Sequence, residues 1–199
     1  MKRKSTKKII LEKALEHFSK QGYAGASIRQ IARSVGIRES AIYNHFESKE
    51  EIFLALLYQF KSQTISKEIL NDELLDQLSN PENFLKVFTR RLIDFWNTPQ
   101  ERKFIRVLLM EQFTKIGSSE ISISEYLTDL RSICKLIFGE MSKNGIIKKF
   151  DTVVLADEFA AFLFLLRSEK ISGDEKLPIT KIYDLAEMHV DFFWNSVKA

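Results

Sequence analysis

The chain has 199 residues, of which 45% are hydrophobic and 29% are charged, and its formal net charge is +3. This composition is ordinary for a globular protein, and it excludes collagen-like and low-complexity chains. Seven glycines and three prolines are too few turn signals for a sandwich or barrel of many short strands, so we expect long helices.

Several features of the sequence indicate the compartment. The longest uninterrupted apolar run, residues 159–166, is short, whereas a membrane helix needs ~18 apolar residues. The single cysteine, Cys134, has no partner for an internal disulfide. No long apolar segment follows the basic N-terminus, as it does in a secretory leader. We therefore predict a cytoplasmic protein that makes no membrane contact.

The positive charge lies at one end of the chain. Residues 1–50 contain eleven Lys and Arg against five Asp and Glu, so the other residues are net negative. Such an asymmetry is typical of a module that faces a polyanion such as nucleic acid, joined to a neutral or acidic module. A basic tail that only keeps the protein in solution gives the same pattern, so charge alone leaves both interpretations open.

Apolar residues recur at helical spacing along the whole chain, and capping residues mark where the helices start. Ser27 with Gln30, and Ser48 with Glu51, have the spacing of a capping box. Asn80 before Pro81 is typical of an N-cap followed by the first helical residue, and Thr98 before Pro99 repeats the pattern. The predicted fold class is all-α, with helices over about 7–20, 27–35, 40–45, 48–70, 81–96, 99–116, 120–142, 152–168 and 179–197.

The second and third predicted helices are short and are joined by a tight turn at Gly36. This spacing is typical of a DNA-binding helix-turn-helix, in which one helix braces on the DNA backbone and the next enters the major groove. The third helix displays a set of hydrogen-bonding side chains. Because any small helix needs a solvated face, the periodicity by itself is compatible with a surface that binds nothing.

The residues from Ile10 to Phe53 resemble the N-terminal domain of tetracycline-repressor-type (TetR family) regulators. The resemblance consists of A-L-x-x-F-x-x-x-G-Y, then S-I-R-Q-I-A, then V-G-I, then I-Y-N-H-F-x-S-K-E-E-I, without a gap. It covers about the first quarter of the chain. It implies a DNA-binding domain over residues 1–48 and a helical ligand-binding and dimerisation domain over residues 49–199.

The resemblance also implies which residues contact DNA. Tyr43, His45 and Lys49 match positions that contact phosphates, and a phenol, an imidazole and an ammonium can each donate to a phosphate oxygen. Positions that touch the DNA backbone, and occasionally base edges, correspond to Ser27, Ile28 and Arg29.

Base reading is expected from the residues at which family members vary most, namely Arg38, Glu39, Ser40, Ala41 and Asn44. An arginine can donate two hydrogen bonds to guanine, a glutamate can accept a hydrogen bond from the amino group of cytosine, and an alanine can contact a thymine methyl group. Arg38 and Glu39 can equally form salt bridges. Ser40 departs mildly from the glycine or small residue that the family often has there. The basic arm of Lys2, Arg3, Lys4, Lys7 and Lys8 either reaches nearby phosphates or is simply solvated.

Ten of the sixteen phenylalanines lie between residues 84 and 164. The resemblance implies a cavity in this half for a small, largely apolar effector that releases the protein from DNA. A phenylalanine-rich core without a cavity fits the same spacing. The candidate lining residues are Phe60, Phe84, Phe88, Trp96, Phe104, Phe113, Tyr126 and Phe162.

The two last predicted helices are unusually apolar. The resemblance implies that they pair with their symmetry mates in a four-helix bundle, whereas a buried monomer core is the alternative. A two-fold dimer predicts an inverted-repeat operator in double-stranded DNA. The candidate interface residues are Phe159, Leu163, Leu185, His189 and Phe192.

An enzyme needs a site that this sequence lacks. It has no P-loop, no G-x-G-x-x-G and no G-x-S-x-G, and its three histidines lack metal-ligand spacing, so we expect no cofactor and no metal. The predicted function is a sequence-specific DNA-binding transcriptional regulator, a repressor released by its effector. The alternative is a helical adaptor that binds a protein through the third helix.

Overall fold

The structure, a computed structural model, describes residues 5–62, 65–172 and 177–199. Its first helices are α1 (Thr6–Gly25), α2 (Ile28–Val35), α3 (Glu39–Ile42), α4 (Lys49–Ser62), α5 (Ile65–Ile69) and α6 (Asp72–Leu75). A 3₁₀ turn (Asp76–Ser79), α7 (Pro81–Trp96) and α8 (Pro99–Glu111) follow. Next come a hairpin of β1 (Lys115–Ile116) and β2 (Ser119–Glu120), then α9 (Ile123–Lys143), α10 (Thr152–Leu165), a π-helical turn (Leu166–Ile171) and α11 (Ile179–Val197).

The chain forms two compact units. The first contains the described residues up to 62 together with residues 103–123. Its core is built from the apolar stripe of α1, which buries Ile10 and Phe18 completely, and from Ile31 of α2. The rings of Phe18, Tyr23 and Phe53 surround one another with centroids 5.1 to 5.8 Å apart. These contacts fix α1, α2 and α4 against one another.

The second unit contains the described residues from 65 to 102 and from 124 onward. One continuous apolar cluster forms its core. At its centre Phe138, Phe159 and Phe193 contact one another with centroids 5.0 to 5.5 Å apart. The end of the chain is tied down because Ile147 pairs with Lys198 in an isolated β-bridge.

The predicted all-α class is confirmed, and the helices with local capping signals begin where the sequence placed them. The hydroxyl of Ser27 accepts from the amide of Gln30 in a complete capping box. Asn80 accepts from the amide of Asn83, with Pro81 as the first helical residue. No helix among the residues that the structure describes is long and apolar enough to span a membrane.

Several predicted helices were too long, among them the third, which ends at Ile42 and not near residue 45. The helix expected over 48–70 ends at Ser62 and a new one starts at Ile65. The helix expected over 99–116 ends at Glu111, because Phe113 adopts a φ of 70° and the chain turns into the hairpin. The arm residues Lys2, Arg3 and Lys4 lie outside the described residues. The division into functional domains 1–48 and 49–199 stays a prediction.

Gly22 interrupts the helical geometry of α1 with φ 71° and ψ 174°, a region of backbone space that is essentially restricted to glycine. The amide of the next residue, Tyr23, donates to Oε1 of Glu111 at 2.7 Å. A Cβ added to Gly22 would lie 2.9 Å from that same oxygen. Because Gly22 has no side chain, the buried carboxylate of Glu111 can approach the break in α1 and accept a hydrogen bond from the amide of Tyr23.

Gly22→Ala is expected to lower the free energy of unfolding by about 2–4 kcal/mol, since it adds a strained backbone conformation to the displacement of Glu111. Urea unfolding followed by circular dichroism measures the change. Gly36→Ala is the matched control: Gly36 has φ 81° and ψ 28° and open space around its Cα, so the loss there should be only about 1 kcal/mol. Equal losses at the two positions would contradict the role given to Gly22.

Candidate DNA-binding surface

The turn between α2 and α3 is built by local chemistry. Gly36 ends α2 in the left-handed conformation, and its amide donates to the carbonyls of Ala32 and Arg33. Such a glycine satisfies carbonyl groups at the end of a helix while it reverses the chain. The chain thus leaves α2 within one residue, and α3 begins at Glu39.

α3 has only four residues, so it is held by packing. Ile42 is fully buried, and Phe46 in the following turn is 1% exposed. Both side chains fill the core of the first unit. The polar residues on either side of these two anchors consequently face away from the core.

The predicted base-reading residues occupy this outward surface. Arg38 is the N-cap of α3 and makes no side-chain cap bond. Arg38, Glu39, Ser40 and Asn44 are exposed, and Ala41 is half-buried. The structure therefore brings all five together on one short solvent-facing segment.

The predicted phosphate-contacting residues differ in their exposure to solvent and in the hydrogen bonds that they already make within the protein. The ring of Tyr43 is 51% exposed and His45 is half-buried. Lys49 is already engaged: its Nζ donates to the carbonyls of Tyr23 at 2.7 Å and Ala26 at 2.9 Å and lies 4.3 Å from the centre of the Tyr23 ring. The ammonium thus stabilises the end of α1, and only its third proton and its backbone amide are left for an external partner.

The start of α2 is solvent-accessible. Arg29 is exposed and Ile28 is half-buried, while the hydroxyl of Ser27 is used in the capping box. On α1, Lys7 and Lys8 are exposed, and Nζ of Lys7 lies 4.9 Å from the centre of the Phe46 ring. Basic side chains from α1 and α2 therefore belong to the same unit as α3. A surface that binds a polyanion needs several such positive charges in one unit.

The predicted cavity residues do not form one group. Phe60 and Phe104 stack with centroids 3.8 Å apart in the first unit, and Phe113 is 86% exposed. The other five of the eight candidates divide among three different places in the second unit: Phe84 stacks on Phe88, Phe162 stacks on His189, and Trp96 and Tyr126 flank Arg167.

Sequence reasoning missed the two charged residues at the third of these places. Arg167 is fully buried and Glu101 is 3% exposed, and their side chains form an ion pair of 2.6 Å. One signal was available. Arg167 is the first charged residue after the long apolar run 159–166, in a helix that is unusually apolar.

The predicted dimer residues need correction. Phe159 and Leu163 are fully buried within the second unit, so their side chains cannot contact a partner. Leu185 and His189 are half-buried, and Phe192 is 74% exposed. The apolar side chains that α10 and α11 do expose are Val153, Val154, Leu165, Met188 and Phe192.

The sequence matches the family described as "Bacterial regulatory proteins, tetR family" over residues 10–56. A curated relative, the HTH-type transcriptional repressor AcnR of Corynebacterium diphtheriae, is 34% identical over 84 residues, which cover 41% of this chain and 44% of that protein. The chain thus aligns with less than half the length of this relative. The match falls on the part that contains the helix-turn-helix.

Solved structures share the whole fold. The ketosteroid transcriptional regulator KstR2 of Mycobacterium tuberculosis has a TM-score of 0.72 at 16% identity, covering 100% of this chain and 97% of that one. AibR in complex with isovaleryl coenzyme A and operator DNA has a TM-score of 0.68 at 19% identity, covering 92% of this chain and 96% of that one. The N-terminal helix-turn-helix followed by a larger helical domain is therefore confirmed as the fold.

His189 gives a pH-dependent stability. Burial among phenylalanine rings lowers its pKa, although a hydrogen bond from Nε2 to the carbonyl of Phe159 opposes the shift. Between that lowered pKa and the ordinary value near 6.5 the unfolded chain binds more protons, so stability rises with pH. The free energy of unfolding should fall as the pH drops from about 7.5 to 5.5, by no more than about 1.4 kcal/mol per pH unit, the value for one proton.

His189→Gln should flatten this part of the pH profile, measured by urea unfolding at each pH. His17→Gln is the control, because the ring of His17 bonds to Ser34 and Gln21 at the surface, and it should leave the slope in place. A slope that survives in His189→Gln would show that another group causes it.

Proposed function

We propose that the chain is a member of the TetR family of bacterial regulatory proteins, whose model it matches over residues 10–56, and that it is a transcriptional regulator that binds duplex DNA in a sequence-specific way. It binds as a homodimer, acts as a repressor in the cytoplasm, and leaves its operator when a small, largely apolar molecule binds the second unit. The relative and the structural neighbours named above are regulators, which favours this function over an enzyme.

The observation that carries the proposal is the outward display of α3. A helix of four residues contributes little core, yet two buried anchors hold it so that a row of hydrogen-bonding side chains faces solvent. This arrangement supports insertion of α3 into a major groove, with α2 crossing the backbone. A protein-binding adaptor would instead need an exposed apolar surface here, and the large apolar residue exposed on this segment is Tyr43.

We assign the side chains two kinds of task. Tyr43, His45, Arg29 and the amide end of α4 at Lys49 position the domain on phosphates, which carry no sequence information. Arg38, Glu39, Ser40, Ala41 and Asn44 face the base edges, while Ser27 and Ile28 at the start of α2 touch the backbone and occasionally a base edge. Arg38 is the leading reader, since guanine offers two acceptors that match the fork of a guanidinium.

The dimer proposal rests on two exposed apolar stripes. Met188 and Phe192 are one helical turn apart on α11, and Val154 and Leu165 are three turns apart on α10, so each pair shares a face of its helix. Exposed apolar residues on two helices that contact each other fit a four-helix bundle with a second copy of the chain. A two-fold axis then presents two α3 segments to successive major grooves, which gives an inverted-repeat operator.

Selection of bound sites from random duplexes should return an inverted repeat. Tyr43→Phe removes one phosphate donor, so it should weaken binding to all duplexes alike. Arg38→Ala should instead lose about 1–3 kcal/mol of discrimination at one base pair in each half-site. Titration of fluorescent duplexes that differ at single positions measures both effects. Lys135→Ala, an exposed lysine on α9 of the second unit, is the control and should change neither affinity nor preference.

Affinity for the selected duplex should also fall steeply between ~50 and ~200 mM salt, because bound counterions are released from the phosphates. A chain that selects no sequence and shows no salt dependence would instead support the protein-binding adaptor.

Phe192→Asp should convert the dimer to a monomer at micromolar concentration, since it places a charge in the centre of an apolar interface. Sedimentation velocity measures the change. Tyr58→Asp replaces an aromatic side chain that is 76% exposed on α4, outside the proposed interface, and should remain dimeric. A wild-type monomer would contradict both the interface and the inverted repeat.

A further inference from the structure

A buried polar cluster lies in the core of the second unit. The Nη2 of Arg167 donates to Oε2 of Glu101 at 2.6 Å, and the hydroxyl of Tyr126 donates to the same oxygen at 2.8 Å. The guanidinium is flanked by two rings, with its carbon 4.8 Å from the centre of Trp96 and 4.7 Å from that of Tyr126. Arg167 is fully buried, and Trp96 is 1% exposed.

The cluster has more donors than acceptors. Among the described residues, Nε and Nη1 of Arg167 and Nε1 of Trp96 find no hydrogen-bond acceptor. Buried donors are almost always satisfied, so three unmet N–H groups in one place need an explanation. A core that only required packing would place apolar side chains here at lower cost. The surplus of donors is what a site for a molecule with acceptor oxygens provides.

The backbone at Arg167 is also irregular. The residue lies in the π-helical turn that continues α10, and the amide of Ser172 closes that turn by donating to the carbonyl of Arg167. Such turns are rare and are found frequently at functional sites. The ring of Tyr126 is only partly buried, so the cluster is one side chain away from the surface of this unit.

We propose that Arg167 and Trp96 form the polar end of the effector site and that the effector is an uncharged apolar molecule with a carbonyl group, such as a ketone or an ester. The inference rests on the proposed function, which requires an effector in the second unit. The carbonyl oxygen accepts from Arg167 and from Trp96 while the apolar remainder packs against the flanking rings.

The charge balance selects a neutral ligand over an acid. Glu101 already neutralises Arg167 inside the core, so a ligand carboxylate would leave one unpaired negative charge in a medium where charges are poorly solvated. A carbonyl oxygen has two lone pairs, so it accepts from one donor of Arg167 and from Trp96 without adding charge. A hydrocarbon fills the same space but leaves the three donors unmet, so it should bind more weakly than the ketone of the same skeleton.

The test uses a panel in which each of several linear, cyclic and aromatic skeletons is present as methyl ketone, carboxylic acid and parent hydrocarbon. Binding to the full-length wild-type protein is measured by thermal shift and isothermal titration calorimetry at neutral pH. The ketones should bind about 10-fold to 100-fold more tightly than the acids and hydrocarbons of the same skeleton.

Variants connect that preference to the cluster. Trp96→Phe retains an aromatic ring and removes the indole N–H donor, so it should weaken ketone binding about 10-fold. The double variant Glu101→Leu/Arg167→Met removes both charges together and avoids a lone buried ion. It should bind ketone and hydrocarbon equally. Thr89→Val is the matched control, because the Thr89 hydroxyl is also buried and unpartnered but lines a separate small cavity with Ile93, Ala186 and Val190; ketone affinity should not change.

Three results would overturn the inference: acids that bind more tightly than ketones, ketones that bind no better than hydrocarbons, or a panel in which no ketone binds. Selection of operator sites with the unliganded protein distinguishes failure of this ligand inference from failure of the proposed function. If a duplex is selected but the carbonyl preference is missing, only the ligand class is wrong. If no duplex is selected, the proposed function as a DNA-binding regulator is wrong.

Discussion

The burial of Ile42 and Phe46 is the interaction on which the candidate DNA-binding surface depends. A helix of four residues closes too few backbone hydrogen bonds to be stable alone, because nucleation costs more than one turn returns. The two anchors, which are at most 1% exposed, therefore supply the order of α3. The same burial decides which side chains face outward, so the polar display is a consequence of core packing in the first unit.

The end of α1 shows how that unit combines structure with the candidate binding surface. Helix carbonyls at a C-terminus carry partial negative charge, and Lys49 donates to two carbonyls at this end. Glu111 meanwhile accepts a hydrogen bond from the amide of Tyr23, which directly follows the break in α1 at Gly22. A lysine that resembles a DNA contact in the sequence thus also fixes the start of α4 against α1. Lys49 can both contact a phosphate and fix α4 against α1, because the backbone amides at the N-terminus of α4 are separate from its ammonium group.

Much of this organisation was predictable because its causes are local. Capping boxes, N-terminal prolines and Gly36 act within a few residues, and they placed α2, α7 and the start of α8 correctly. The causes that were not predictable are tertiary. The hairpin has two residues in each strand, too few to show an alternating pattern. The pairing of Arg167 with Glu101 joins residues 66 positions apart, and the aromatic candidates separated into several places since helical spacing fixes a face but not its neighbour.

Helix α8 connects these observations, since its residues up to Arg102 pack with the second unit and those from Lys103 with the first. It carries a buried carboxylate in its first turn and another at its end: Glu101 accepts from Arg167 and Tyr126, and Glu111 accepts from the amide of Tyr23. A ligand shifts DNA affinity only as far as it binds two states with different free energies. In the proposed site the carbonyl oxygen accepts from a free donor of Arg167 while Nη2 stays with Glu101, so the effector would bear on the first turn of α8, a helix whose residues from Lys103 onward belong to the first unit.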